Sequence, residues 1–227
     1  MTLSQELKSY GISSLWNVTH LSNLESLLSH GIICRNLVCN LPNFTDISDP
    51  VVQSRRRRAY DSNRKVFFDP HDYVPLFFTD NTPMLYVTLC DDKMVILLEV
   101  SPEVADSVGV YFSDGNIASS DSCCYTDPND LKNLDWSIIK SQQGAFWKEW
   151  RRKRAAEVLI PKSCPPSFIK AVHVQDAVVE EVKLADAARA IVRKFGNLNI
   201  DVHEDLTPEG VRPTPDLSWL SGLCIKI

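Results

Sequence analysis

The longest uninterrupted apolar run in this chain, Met94 to Leu98, has the length of a strand and not of a membrane helix. A bilayer span needs about 18 apolar residues, so the sequence predicts no transmembrane helix and a core assembled from short elements. MVILLEV, which contains the run, lacks polar alternation, as a strand buried on both faces does. The N-terminus, MTLSQELKSYG, has no basic stretch followed by an apolar one, so no secretory signal is expected and the default address is the cytoplasm. Seven cysteines, an odd number without a CxxC pair, argue against a disulfide framework and a zinc ribbon. Reduced thiols and no metal are the expectation.

At 227 residues, 44% apolar and 23% charged, the chain is an ordinary folded protein within the range of one domain. SLWNVT alternates like a strand entering the core. In SNLESLLSHG, Ser22 and Glu25 fit a capping box, Leu24, Leu27 and Leu28 form one stripe, and Gly31 fits a C-cap. YVPLFFT and MLYVTL read as strands, AEVLIP as a strand starting at Glu157, and FIKAVHV as another. VVEEVKLADAARAIVRKF reads as an amphipathic helix of about five turns, and NIDVHE as a last short strand. Cys39 to Pro70 and FSDGNIASSDSCCYTDPND are turn-rich without period, and Pro208 to Pro215 reads as an irregular tail. Short strands, few helices and two long loops define an α+β domain spanning 1–227.

The net charge is −5, yet Arg55, Arg56, Arg57 and Arg58 are consecutive, and Lys148, Arg151, Arg152, Lys153 and Arg154 fall within seven residues. Such clusters on an acidic protein are either a groove for a polyanion or a solvated helix face. No GxGxxG, GxxxxGK[ST], HExxH or GxSxG occurs, which removes the dinucleotide, P-loop, zincin and serine-hydrolase fingerprints. His71 and His173 lack metal-ligand spacing. Glu157 stands at the head of an apolar strand, where an unpaired carboxylate is expensive to bury. It is either a chemical group or a strand-edge glutamate paired with Arg154 or a neighbouring lysine.

LWNVTHLSNLESLLSHGI, VVQSRRRRAY, DYVPLFFTDNTPMLY, FSDGN, LDW and RAAEVLIP, in that order, resemble the DarT family over residues 12 to 175. These are bacterial toxins that transfer ADP-ribose from NAD to a base of single-stranded DNA. The resemblance implies a split mixed β-sheet with flanking helices and two functional loops. It also implies NAD as co-substrate, single-stranded DNA as acceptor, and an antitoxin of the DarG type, a macrodomain or related hydrolase. By motif, the catalytic arginine three residues after the glutamine of QxxR is Arg56, and the catalytic glutamate of the AE pair is Glu157. The nicotinamide-side pocket maps to Trp16, Asn17, Val18, Thr19 and His20, with further contacts at Ser26 and Cys34. Asn17 stands where a histidine is frequent in the family. Residues from about Cys39 to Arg58 would fold over NAD, and Gly115 to Glu157 would select the acceptor.

These residue types suit that chemistry. Nicotinamide leaves as a neutral molecule, so no general acid is needed, and a carboxylate near the ribose stabilises the developing oxocarbenium. Arginine is a poor base in water, with a pKa above about 12. Arg56 is therefore either the family's proton acceptor or a clamp for the pyrophosphate and the deprotonated base. Arg55, Arg57, Arg58, Arg151, Arg152 and Arg154 are candidates for DNA phosphates, and Tyr125, Trp147 and Trp150 for stacking on bases. Thymidine is the more familiar acceptor in the family, with guanosine used by some members. An RNA acceptor and a non-catalytic nucleic-acid-binding module remain as other readings.

Overall fold

The computed structural model describes residues 1–39, 41, 43–56, 58–61, 65–141 and 147–206. Ten strands make one mixed sheet: β1 (Leu15–His20), β2 (Ala59–Asp61), β3 (Val66–Phe68), β4 (Tyr73–Phe77), β5 (Val95–Val100), β6 (Tyr111–Ser113), β7 (Cys124–Tyr125), β8 (Glu157–Pro161), β9 (Ile169–His173) and β10 (Asp201–His203). Their order across the sheet is β10-β9-β5-β1-β4-β8-β6-β7-β2-β3. Neighbours are antiparallel except β9 with β10 and β2 with β7. The helices are α1 (Leu3–Ser9), α2 (Leu24–His30), α3 (Arg35–Val38), α4 (Pro50–Arg55), α5 (Pro83–Asp91), α6 (Trp136–Ile139), α7 (Lys148–Arg154) and α8 (Leu184–Arg193).

The apolar run forms β5, flanked by β1 and β9. Ile96, Leu98 and Val100 enter the larger core cluster, and Val95 and Leu97 a second one with Val18, Phe77, Leu85 and Leu89. Both faces are covered, which is why the run carries no polar alternation.

The expected split is visible in the strand register. β1 pairs with β5 along its whole length, Leu15 opposite Val100 through His20 opposite Val95. Against β4 it pairs at one position, Trp16 opposite Phe77. A four-stranded half (β10-β9-β5-β1) thus meets a six-stranded half (β4-β8-β6-β7-β2-β3) at a single pair of residues. On the far side of that seam, Phe77 is opposite Glu157.

Three local expectations are corrected. MLYVTL is not a strand but the body of α5. Pro83 sits in its first turn and Thr82 Oγ1 accepts a hydrogen bond from the Leu85 amide at 3.1 Å, and this N-terminal signal outweighs strand propensity. The five-turn helix is shorter than read, because Val178–Val179 and Val182–Lys183 form a hairpin around Glu180 and Glu181, at φ 50° and 67°. Only Leu184–Arg193 is helical. The Ser22–Glu25 capping box does not form: His20 Nδ1 accepts the Ser22 amide instead, and α2 begins at Leu24. Gly31 follows α2 at φ +85°, where a Cβ would lie 2.3 Å from the Cys164 carbonyl oxygen, so only glycine fits.

Among the described residues the six cysteines form no disulfide; Cys224 and the Pro208–Pro215 segment lie outside the described residues. Burial pushes the Cys124 and Cys164 thiols up to about 12 and raises that of Cys34, whereas Cys39, Cys90 and Cys123 are exposed. Thiolate is the reactive form. Limited alkylation at pH 8 with peptide mapping should therefore label Cys39, Cys90 and Cys123 well before Cys34, Cys124 or Cys164. Among the described residues no helix is long and apolar enough to cross a membrane, and no group of His, Cys, Asp or Glu is placed to hold a metal ion.

Candidate active site

Glu157 opens β8 and is fully buried. Its partner is Arg56, which caps the C-terminus of α4. That short helix is fixed at its start by Pro50 and by Asp49, whose Oδ1 accepts the amides of Val51 and Val52. The Arg56 amide donates to the Gln53 carbonyl at 3.1 Å, and Gln53 Oε1 lies 3.0 Å from His71 Nε2. The glutamine of QxxR thus ties α4 to the turn that precedes β4. The guanidinium then reaches the carboxylate through two bonds, Nη1 to Oε1 at 2.8 Å and Nη2 to Oε2 at 3.1 Å. This is the bidentate fork that only arginine supplies.

The remaining contacts of Glu157 define what it has left to offer. Oε1 also accepts the Ile117 amide at 3.3 Å. Ser113 Oγ accepts the Glu157 amide at 3.3 Å and donates to the Gly115 carbonyl at 2.7 Å. A carboxylate oxygen accepts two hydrogen bonds. Among the described residues Oε1 therefore has both positions filled, while Oε2 accepts from Arg56 alone and has one position not taken. The strand-edge alternative with Arg154 as partner is not what forms.

Trp16, Phe77 and Glu157 lie in one row across β1, β4 and β8. Trp16 and Phe77 belong to the second core cluster with Val18, so these side chains share the face of the sheet that carries Glu157. Strand alternation sends Asn17 and Thr19 to the other face. There Asn17 Nδ2 donates to the Pro75 carbonyl at 3.1 Å, and Thr19 Oγ1 accepts from Asn23 Nδ2 at 3.2 Å. His20 is engaged with Ser22 and lies 3.4 Å from Asp92. Ser26 is exposed on α2, and Cys34 packs in the larger core. The structure brings Trp16 and Val18 to the Glu157 face and leaves Asn17, Thr19, Ser26 and Cys34 away from it. Phe77, Ser113 and Ile117 escaped the sequence reading; only the run of aromatics ending YVPLFF hinted at the first.

The cations differ in how they are held. Arg55 is exposed, with Nε donating to the Val51 carbonyl at 3.4 Å, and Arg58 lies 3.8 Å over the Phe67 ring; Arg57 is outside the described residues. Arg152 is tied down, to Glu149 at 2.8 Å, Asp114 at 3.2 Å and Ser122 at 3.1 Å. The Glu149 hydrogen bond, followed by Asp114, raises its pKa. Gly115 admits this contact, because a Cβ there would stand 2.5 Å from Arg152 Nη1. Arg151 is half-buried.

Arg154 is the correction in this cluster. It is 2% exposed, donates from Nε to the Ile138 carbonyl at 3.3 Å, and leaves Nη2 without a partner among the described residues. Burial pulls its pKa down. A side chain already removed from water releases no counterion on binding DNA. In an anisotropy titration across a salt series, Arg154→Gln should therefore leave the log–log slope of oligonucleotide binding at the wild-type value. Of the aromatics, Trp147 is exposed, Trp150 is half-buried, and Tyr125 stacks on Phe112 at 5.5 Å against the larger core.

The structure is similar to that of Thermus sp. 2.9 DarT in complex with ADP-ribosylated ssDNA, with a TM-score of 0.72, 23% identity, and 86% of this chain and 94% of that one covered. Thermosipho africanus DarTG in complex with ADP-ribose superposes with a TM-score of 0.69 at 22% identity, covering 88% of this chain and 51% of that one. The chain belongs to the DarT family: the family profile described as "ssDNA thymidine ADP-ribosyltransferase, DarT" matches residues 16–198. It is 27% identical to a DNA ADP-ribosyl transferase–DNA ADP-ribosyl glycohydrolase fusion protein of Thermosipho africanus, over 92% of this chain and 53% of that protein. It thus spans about half the length of the fusion. It is 28% identical to a DNA ADP-ribosyl transferase of Thermus sp. (strain 2.9), over 74% of this chain and 83% of that protein.

Proposed function

We propose that this chain is an NAD-dependent toxin enzyme that transfers ADP-ribose to a base of single-stranded DNA, with thymidine the favoured acceptor and guanosine the other candidate. It acts as a single transferase domain in the bacterial cytoplasm. The observation that carries the reading is the buried Arg56–Glu157 pair at the seam of the sheet, in a chain whose family is described by that reaction. The Thermosipho fusion to a DNA ADP-ribosyl glycohydrolase supports a DarG-type hydrolase as partner.

The open acceptor position on Glu157 Oε2 takes the ribose 2'-hydroxyl of NAD, orienting the sugar and holding negative charge beside its anomeric carbon. The bond from that carbon to nicotinamide breaks, and the electron pair leaves on the nicotinamide nitrogen. The carboxylate stabilises the oxocarbenium character that develops. The lone pair of the acceptor base nitrogen forms the new bond to the same carbon, and the proton on that nitrogen is lost to solvent. Arg56 stands against Glu157 as a fixed cation, which favours the deprotonated base during attack. Trp16 and Phe77 supply an apolar floor beside it. The experiment is mass spectrometry of short homopolymer and mixed oligonucleotides incubated with NAD, alongside a nicotinamide-release assay. A gain of one ADP-ribose on DNA is expected; transfer to RNA alone, or no nicotinamide release, overturns the reading.

A further inference from the structure

The free edge of the sheet carries a surface that this reaction leaves unused. β3 is the last strand of the sheet, and β2, its partner, starts three residues after Arg56. Tyr60 is opposite Phe67 in the register, their rings 5.0 Å apart, and the Arg58 guanidinium covers the Phe67 ring at 3.8 Å. Tyr60 is 44% exposed, Phe67 56% and Val66 46%. The alternate residues do the packing: Ala59 and Phe68 enter a small cluster with Tyr111, Ile117 and Leu159.

The outward side chains touch one another and enter none of the core clusters, and an edge strand with neighbouring exposed apolar groups invites unwanted pairing. Their surroundings point to an occupant. Arg58 covers the Phe67 ring, and Arg55 and Lys65, close in sequence to the two strands, are also exposed, on a protein whose net charge is −5. Aromatic faces set among cations are how single-stranded nucleic acid is held without sequence readout, because every base has a π-face and every linkage a charge. Tyr60 follows Arg56 by four residues, at most about 14 Å of backbone. A strand with one base at Glu157 therefore reaches the hairpin within a few nucleotides.

We infer that the β2–β3 hairpin is a stacking platform for acceptor-strand bases that neighbour the modified one, with Tyr60 and Phe67 as the rings and Arg55, Arg58 and Lys65 as phosphate contacts. The inference rests on the proposed DNA acceptor and extends it. The aromatics that bind flanking bases are then on the sheet edge, beside the catalytic arginine.

The test compares wild type with Tyr60→Ala/Phe67→Ala and with the ring-retaining Tyr60→Phe/Phe67→Tyr, after melting curves establish that all three are folded. Anisotropy and the oligonucleotide KM are measured on single strands of about 2 nucleotides, too short to reach the hairpin, and about 16 nucleotides, each carrying the acceptor base. The double alanine variant should lose about tenfold to a hundredfold in affinity for the long strand. It should match wild type on the short one, and the ring-retaining variant should behave as wild type on both. Wild-type affinity and KM of the double alanine variant on the long strand overturn the platform and leave the transfer reaction standing. A double alanine variant that keeps DNA affinity but loses binding to a DarG-type hydrolase assigns the surface to a protein partner and also overturns it. A wild-type protein that neither binds nor modifies single-stranded DNA overturns the acceptor assignment and the platform together.

Discussion

Glu157→Gln is expected to lower ADP-ribose transfer by about 100-fold or more, the scale of removing a preorganised electrostatic group. The substitution keeps the size of a fully buried side chain and removes the charge that faces the oxocarbenium. It also disturbs the fork. The amide nitrogen would oppose an Arg56 Nη donor where the carboxylate now accepts at 2.8 and 3.1 Å, so a lower Tm accompanies the loss of turnover. Circular dichroism with nicotinamide release and oligonucleotide mass separates the two effects. A folded Glu157→Gln protein with near-normal turnover would remove the carboxylate from the mechanism.

Arg56→Ala should be as inactive and less stable. It strands a carboxylate that is 0% exposed, with the backbone amide of Ile117 as the remaining donor to it among the described residues. Removing one partner of a buried ion pair costs about 3–5 kcal/mol. Arg56→Lys restores a charge but not the fork, and should recover part of the stability with little of the activity. Arg55→Ala should keep turnover at saturating oligonucleotide near wild type and lose only affinity for the strand, because that guanidinium is exposed and, among the described residues, bonds the Val51 carbonyl and not Glu157. Arg58→Ala should be intermediate. Melting curves and turnover across these four proteins test the assignment, and an inactive Arg55→Ala beside an active Arg56→Ala would show that the wrong arginine was chosen.

How much of this was legible in the sequence varied with how local the signal is. β5 and β8 were readable because their burial is written in their own residues, and Glu157 stood out because a carboxylate in such a strand needs a partner. Which of the consecutive arginines is that partner was not readable from charge. It depends on where α4 stops, and only the resemblance in QxxR pointed to Arg56. MLYVTL misled because its β-branched and aromatic residues outweighed one threonine and one proline in front of it. The inward turn of Arg154 was invisible for another reason. A basic run looks uniformly exposed until a neighbouring element, here the Ile138 carbonyl, captures one member. Asn17 and Thr19 were grouped with Trp16 and Val18 by the resemblance alone, and in β1 successive residues face opposite ways.

The position of β8 between β4 and β6 sets how late in synthesis the candidate site can be completed. Arg56 and Glu157 are 101 residues apart. Until the ribosome has passed the later one, β4 and β6 have no strand to bridge them, and the arginine has no carboxylate to hold. At about 5–20 residues per second, roughly the first 8 to 30 seconds of each chain's synthesis produce an inert polypeptide. An N-terminal fragment left by premature termination or proteolysis carries the basic run but never the reaction. Completion of the Arg56–Glu157 pair is thus a late act of folding.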